Sequence, residues 1–122
     1  MSMPPPDGSE ITTSHLHEFD EAIRLNPNDA IAYVNRGRSK AELGRYEDAI
    51  SDLDEAIRLN PNDAIAYGNR GWSKVKLDRY EDAIADLDEA IRLNPNDALA
   101  RGVRGLAKVQ LGRYEDLSLI HI

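Results

Sequence analysis

Residues 20–53 read DEAIRLNPNDAIAYVNRGRSKAELGRYEDAISDL and residues 54–87 read DEAIRLNPNDAIAYGNRGWSKVKLDRYEDAIADL, so 28 of 34 columns are identical. Residues 88–116 match residues 54–82 at 22 of 29 columns. A fixed period of this length is typical of stacked supersecondary units, each too small to bury its apolar face alone. The sequence therefore predicts a protein built from repeats.

Each repeat reads as two helices joined by a short turn. Asp29 precedes the first helix as a candidate N-cap, and Gly44 follows it where a left-handed residue is favoured. In the second helix, apolar residues recur at three- and four-residue steps, which places them on one helix face. Pro61 follows this helix and ends it, because proline lacks a backbone N–H. Ala49 and Ala56 lie on the apolar face, where small residues allow two helices to approach closely.

With these features the chain resembles the tetratricopeptide repeats. The resemblance covers roughly residues 14–116 and implies an all-α, right-handed solenoid of antiparallel helix pairs, with about two complete repeats and a half repeat at each end. It also implies a concave groove, lined by the first helices, that binds peptides or partner proteins. One departure is Asp78, which replaces the turn glycine at a cost of roughly 1 kcal/mol if its backbone is left-handed. The matching residues are Tyr33, Gly37, Leu43, Gly44, Tyr46, Ala49, Leu53, Ala56 and Pro61, then Tyr67, Gly71, Leu77, Tyr80, Ala83, Leu87, Ala90 and Pro95.

The two ends of the chain depart from the period. Residues 1–13 include three consecutive prolines and lack periodicity, which predicts a disordered segment. Residues 117–122, LSLIHI, match the period at none of six columns, and Leu117 would enter a contact sized for alanine. The same six residues are the translation of a transposon end used in sequencing libraries, so we expect a non-native tail and a natural protein that continues. The array itself is expected to comprise a half repeat at 14–29, repeats at 30–63 and 64–97, and a truncated repeat at 98–116.

Composition limits the classes of function. The net charge of −7 argues against a nucleic-acid partner, and no apolar run is long enough for a membrane span. The N-terminus lacks the apolar core of a signal peptide, which favours a cytoplasmic location. There is no cysteine, and His15 and His17 point to different sides of a helix, so we expect no enzyme activity, no metal and no cofactor. A solvated acidic outer face is expected at Glu47, Asp48, Asp52 and Glu55.

The columns that differ between the first two copies indicate where a ligand binds. Four of the six lie on one face of the first helix, and a face that is free to differ is not required for stacking. Neutral drift on an exposed stripe is the alternative interpretation. Trp72 is expected to be the main anchor, unless it only covers a neighbouring helix. The predicted peptide-binding residues are Ile31, Val34, Asn35, Arg38, Glu42, Ile65, Asn69, Trp72, Val75, Lys76, Leu99 and Leu106.

The best-known ligand mode of the resembled family is a clamp of lysine, asparagine and arginine for the C-terminal carboxylate of a chaperone tail. Asn69 matches one clamp asparagine, but Val34 and Leu99 stand where lysine is needed. Arg38 replaces the other asparagine, and Val103 replaces the arginine. The comparison predicts a protein or peptide partner that is not a chaperone tail. An architectural or self-associating segment of a longer protein, pairing through its exposed ends, is the alternative.

Overall fold

The computed structural model describes the backbone of residues 9–120 and the side chains of residues 15–117. Within this range the chain forms six α-helices and no β-strand. It divides into two compact units, one ending at Pro61 and the other beginning at Asn62. The helices are α1 (Ser9–Leu25), α2 (Ala30–Glu42), α3 (Tyr46–Leu59), α4 (Ala64–Lys76), α5 (Tyr80–Leu93) and α6 (Ala98–Ile120).

The ends of the first helices are set by local chemistry. Asp29 caps α2, where its carboxylate accepts a hydrogen bond from the Ala32 N–H at 3.1 Å. Asp63 caps α4 in the same way. Beyond these helices, Gly44 and Asp78 have φ angles of +78° and +61°, so the chain turns through left-handed backbone at both positions. The predicted cap and both predicted turns are confirmed, including the strained one at Asp78.

Each helix pair is closely packed because one residue of the first helix has no side chain. A Cβ added at Gly71 of α4 would lie 2.8 Å from Cγ of Leu87 on α5, and Gly37 of α2 stands in the same relation to Leu53 on α3. Leu53 and Leu87 are almost completely buried. The alanines predicted to lie at helix contacts, namely Ala49, Ala56, Ala83 and Ala90, are all 0% exposed.

A carboxylate on the second helix ties each pair together and corrects one expectation. Asp52 of α3 is only 5% exposed, although the sequence placed it on a solvated outer face. It accepts two hydrogen bonds from Arg36 and lies 3.0 Å from Nζ of Lys40, both on α2. The hydrogen bonds that Arg36 donates to the Asp52 carboxylate raise the pKa of Arg36 above its ordinary value. Asp86 of α5 is paired in the same way with Arg70 and Lys74 of α4.

The helix α1 acts as a second helix without a first helix of its own. Leu16 is buried, and Asp20 accepts a hydrogen bond from Nη1 of Arg36 at 3.0 Å, which fixes α1 against α2. The helix begins at Ser9, so it includes residues 9–13 of the segment that the sequence predicted to be disordered. These five residues contain no proline or glycine, and nothing in them interrupts the helix. The rest of the predicted disordered segment lies outside the described residues.

The helix α6 does not follow the repeat pattern to its end. The turn expected at Gly112 is absent, and one helix runs from Ala98 to Ile120. A turn at this point would let the following residues pack back on the first helix. Residues 117–122, however, lack the alanine and leucine that make this contact in α3 and α5. Leu117 consequently stays 51% exposed and does not enter a contact sized for alanine.

Candidate functional site

The first helices expose a line of side chains on one face. We call Ile31, Asn35, Arg38 and Glu42 the α2 stripe, and Ile65, Asn69, Trp72 and Lys76 the α4 stripe. Steps of four, three and four residues keep each set on a single face of its helix. The two stripes belong to different compact units, so each is considered as a separate surface.

The α4 stripe combines an apolar surface with a cation. Nζ of Lys76 lies 4.5 Å from the centre of the Trp72 ring, which is within the range of a cation–π interaction. Trp72 itself is partly buried and packs against the core of its unit. Ile65 is 58% exposed at the other end of the stripe. Between them, the Asn69 amide donates a hydrogen bond to the Ile65 carbonyl at 2.9 Å.

The α2 stripe is more polar. Ile31 is exposed, and Arg38 and Glu42 are exposed one and two turns beyond Asn35. Nη2 of Arg38 lies 3.4 Å from Oδ1 of Asn35, a long contact that leaves the guanidinium largely available. This surface therefore offers one exposed cation and one exposed carboxylate where the α4 stripe offers an aromatic ring and a cation.

Two predicted groove residues do not contribute to either surface. Val34 and Val75 are 6% and 7% exposed, which leaves them little side chain to offer a ligand. Val75 belongs to the core cluster that α4 and α5 form with α6, so the variation at this column reflects packing on the next helix. On α6, by contrast, Leu99 and Leu106 are exposed as expected.

Acidic residues are absent from α4 and numerous on α5, the second helix of the same pair. The helix α4 contains no acidic residue, whereas α5 carries five, among them Asp86 and Glu89. On α4 the cations Arg70 and Lys74 are directed at Asp86, while Lys76 lies on the α4 stripe. A chain with a net charge of −7 thus presents a locally uncharged to basic surface on α4. Within the described range, no group of three or more His, Cys, Asp or Glu residues could hold a metal ion.

Sequence reasoning missed the contacts that depend on pairing across helices. The contact between Lys76 and Trp72 could have been found, because four residues separate two neighbours on a helix face. The pairing of Asp86 with Arg70 and Lys74 has a weaker signal, namely three unchanged columns in the first two repeats.

No helix in the part of the chain that the structure describes is long and apolar enough to cross a membrane.

Solved structures of similar fold include domains with bound peptides. The first TPR of Spaghetti (RPAP3), bound to the HSP90 peptide SRMEEVD, has a TM-score of 0.82 at 22% identity and covers 84% of this chain and 82% of that one. The TPR2B domain of yeast Sti1 in a pHsp70 complex has a TM-score of 0.73 at 26% identity, covering 85% and 86%. These similarities confirm the predicted fold class, an all-α solenoid of helix pairs.

A curated relative matches over a single repeat. Hsp70-Hsp90 organizing protein 3 of Arabidopsis thaliana is 51% identical over 37 residues, which are 30% of this chain and 7% of that protein. The chain spans a similarly small part, 11%, of the human small glutamine-rich tetratricopeptide repeat-containing protein beta, at 47% identity over 34 residues.

These findings correct the expectation that a chaperone tail is excluded as partner. Domains of this fold bind peptides of HSP90 and Hsp70, and an organizing protein named for both chaperones shares a repeat with this chain. The exclusion compared five clamp positions one by one. A carboxylate, however, requires a cation within reach and not at one fixed position, so mismatches at single positions do not exclude it.

The family model of the tetratricopeptide repeat matches residues 30–63 and 64–97, the same two repeats that the 34-residue period delimits. Its protein-interaction fold agrees with the helix pairs, the turn residues and the exposed first-helix surfaces described above. The chain belongs to the tetratricopeptide repeat family.

Proposed function

We propose that the chain is a protein-interaction module whose α4 stripe receives an acidic, extended C-terminal peptide of the type that chaperone tails carry. The observation that carries this proposal is the position of Lys76 over the Trp72 ring, on a helix that has no acidic residues and that exposes Ile65 at the other end of the same stripe. This arrangement places an apolar contact and a positive charge within one helical turn of each other.

A peptide that ends in Val-Asp fits this surface chemically. Its valine side chain can cover the exposed part of Trp72, and a residue further from the C-terminus can contact Ile65 two turns away; both contacts remove apolar area from water. The aspartate and the terminal carboxylate can accept charge-assisted hydrogen bonds from Lys76. The chaperone peptide SRMEEVD, which the first TPR of Spaghetti binds, has this ending and two further acidic residues.

The asparagine of the stripe supports an extended conformation of the ligand. Because the amide nitrogen of Asn69 already donates to the Ile65 carbonyl, its carbonyl oxygen is oriented away and can accept a hydrogen bond from a peptide N–H. Main-chain hydrogen bonds of this kind give affinity without reading sequence, and the neighbouring side chains supply the specificity. Exposed residues of the other first helices, Arg38 of the α2 stripe and Leu99 and Leu106 of α6, are proposed as additional contacts.

The test is a titration of this chain into fluorescently labelled SRMEEVD, followed by anisotropy. We expect binding that weakens when the peptide carboxylate is amidated and when salt is added, because both changes weaken the contact with Lys76. Lys76→Met should weaken binding about tenfold, the loss of one charge-assisted hydrogen bond. The matched control is Arg92→Met on α5, which removes the same charge from an exposed position off the stripe.

Two results would overturn the proposal. One is an affinity for SRMEEVD that does not depend on the terminal carboxylate. The other is an equal effect of Lys76→Met and Arg92→Met, which would show that only the net charge of the chain matters.

A further inference from the structure

The α2 and α4 stripes begin alike and end with opposite charges. Ile31 and Ile65 occupy the same position of successive repeats and are 72% and 58% exposed, and an asparagine follows each of them four residues later. The stripes end at Glu42 and at Lys76, which also correspond. A peptide that recognised only the shared residues would bind to either stripe, so the residues that differ decide between them.

The carboxylate of Glu42 does not stabilise the helix that carries it. Glu42 is exposed and forms no hydrogen bond or ion pair within the described part of the chain. It is the last residue of α2, where the partial negative charge of the helix C-terminus disfavours an acidic side chain. Lys76, the last residue of α4, carries the charge that this position favours. A charge that local structure disfavours points to another use of that charge.

Glu42 also changes what the α2 stripe offers to an acidic ligand. Arg38 is the exposed cation of this stripe, and Glu42 follows it after four residues, as a neighbour on the helix surface. The α2 stripe therefore carries no net charge, whereas the α4 stripe carries one positive charge at Lys76. An acidic peptide is consequently attracted to the α4 stripe and not to the α2 stripe.

We propose that Glu42 is a specificity-determining residue, which repels the terminal carboxylate of an acidic peptide from the α2 stripe and so directs it to Lys76. This inference rests on the proposed function of the α4 stripe. A peptide placed on the α2 stripe in the same way would bring its terminal carboxylate against Glu42 and exclude water that screens the two charges. Two nearly identical surfaces are thus distinguished by weakening the wrong one. The repulsion acts at Glu42, so Arg38, one turn earlier, keeps the role of additional contact proposed above.

A ¹H–¹⁵N titration with SRMEEVD tests the proposal, because backbone amides of α2 and of α4 each report binding at their own helix. The parent chain is Lys76→Met, in which the α4 stripe competes only weakly for the peptide. Adding Glu42→Gln should raise the affinity read from the α2 amides about fivefold, since one pair of like charges at contact distance is removed. Glu42→Lys in its place should raise this affinity about tenfold more, because it adds the charge-assisted hydrogen bond that the parent has lost.

The matched controls are Glu18→Gln and Glu18→Lys in the same parent chain. They make the same changes of charge at an exposed position of α1, in the same compact unit but off the α2 stripe. We expect the affinity read from the α2 amides to stay nearly unchanged in both. The Glu42 variants should fold at least as well as the parent, because the helix dipole disfavours the charge that they remove.

The outcomes separate this inference from the proposed function. An unchanged affinity at α2 in Glu42→Gln, or equal effects of Glu42→Gln and Glu18→Gln, would overturn the role of Glu42. The proposed function would stand in that case if the wild-type chain binds SRMEEVD at α4 and needs the terminal carboxylate to do so. A wild-type chain that does not bind SRMEEVD would refute the proposed function, and this inference with it.

Discussion

Gly71 and Gly105 occupy the same position of successive repeats, yet the same substitution should have different effects on stability. In Gly71→Ala, the new Cβ would lie 2.8 Å and 3.0 Å from Cγ and Cδ2 of Leu87 and 3.3 Å from the Ala83 carbonyl oxygen. Carbon atoms in contact are normally about 3.5–4.0 Å apart, so α5 must move away. Leu87 is 1% exposed and has no free space into which it can rotate.

The magnitude follows from two terms. Replacing glycine by alanine inside a helix contributes about 1 kcal/mol of stability at both positions. Overpacking costs about 1–3 kcal/mol, and it applies only at Gly71 because nothing lies within 4 Å of a Cβ at Gly105. Gly105→Ala should therefore stabilise the chain by about 1 kcal/mol, and Gly71→Ala should fall below it by the full overpacking cost of about 1–3 kcal/mol.

The assay is urea unfolding followed by circular dichroism and by fluorescence of Trp72, the only tryptophan. Gly37→Ala repeats the comparison in the other unit, where the added Cβ would lie 2.8 Å from Leu53. Equal stability of Gly71→Ala and Gly105→Ala would refute the claim that a bare glycine determines the spacing of each helix pair.

In a Tyr80→Phe background, where the hydrogen bond from Tyr80 to Asp78 is absent, Asp78→Gly should stabilise the chain by up to about 1 kcal/mol, because glycine adopts the φ of +61° without strain; urea unfolding measures it, and a destabilised variant would contradict the strain. Asp78→Gly alone should lower the pKa of Tyr80 from about 12 towards 10.0 in an ultraviolet titration, since the Asp78 carboxylate accepts the Tyr80 hydrogen bond. Because the folded pKa is raised, this stabilisation is present below the unfolded pKa of 10.0 and is lost as the pH rises through about 12. Ser73→Ala should be neutral or stabilising by about 1 kcal/mol, because the buried Ser73 hydroxyl has no partner among the described residues and the third repeat has Ala107 there; a loss in melting temperature would indicate a hidden partner. Asp86→Ala should destabilise the chain by about 3 kcal/mol, because Arg70 and Lys74 lose a buried partner. A loss below about 1 kcal/mol would show that the ion pairs contribute no more than exposed ones.

The parts of the fold that the sequence predicts are those fixed by local chemistry. The cap at Asp29, the left-handed turns at Gly44 and Asp78, and the buried alanine at Ala83 all depend on one residue and its immediate neighbours. The period then repeats each local feature, which makes the pattern hard to misread.

The parts that the sequence did not predict depend on distant partners. Asp52 looks like its exposed neighbours until Arg36 and Lys40, on the preceding helix, are placed beside it. Val75 shares a face with predicted groove residues, but α6 covers it. Helix α6 runs past its expected turn because the residues after Gly112 provide no second helix to pack back.

The ligand of the α4 stripe could not be predicted from the sequence either. Exposure and spacing select Ile65, Asn69, Trp72 and Lys76, but they do not identify what binds there. Solved domains with bound chaperone peptides supplied that chemistry, and they corrected a prediction based on five single positions.

The central claim is that the α4 stripe binds an acidic C-terminal peptide, and amide chemical-shift mapping tests it most directly. In a ¹H–¹⁵N titration with SRMEEVD, we predict the largest shifts for the indole N–H of Trp72 and for backbone amides of α4 near Ile65, Asn69 and Lys76. Amides of α5, on the acidic helix of the same pair, should shift least. Shifts concentrated on α5, or no shifts at saturating peptide, would contradict the account.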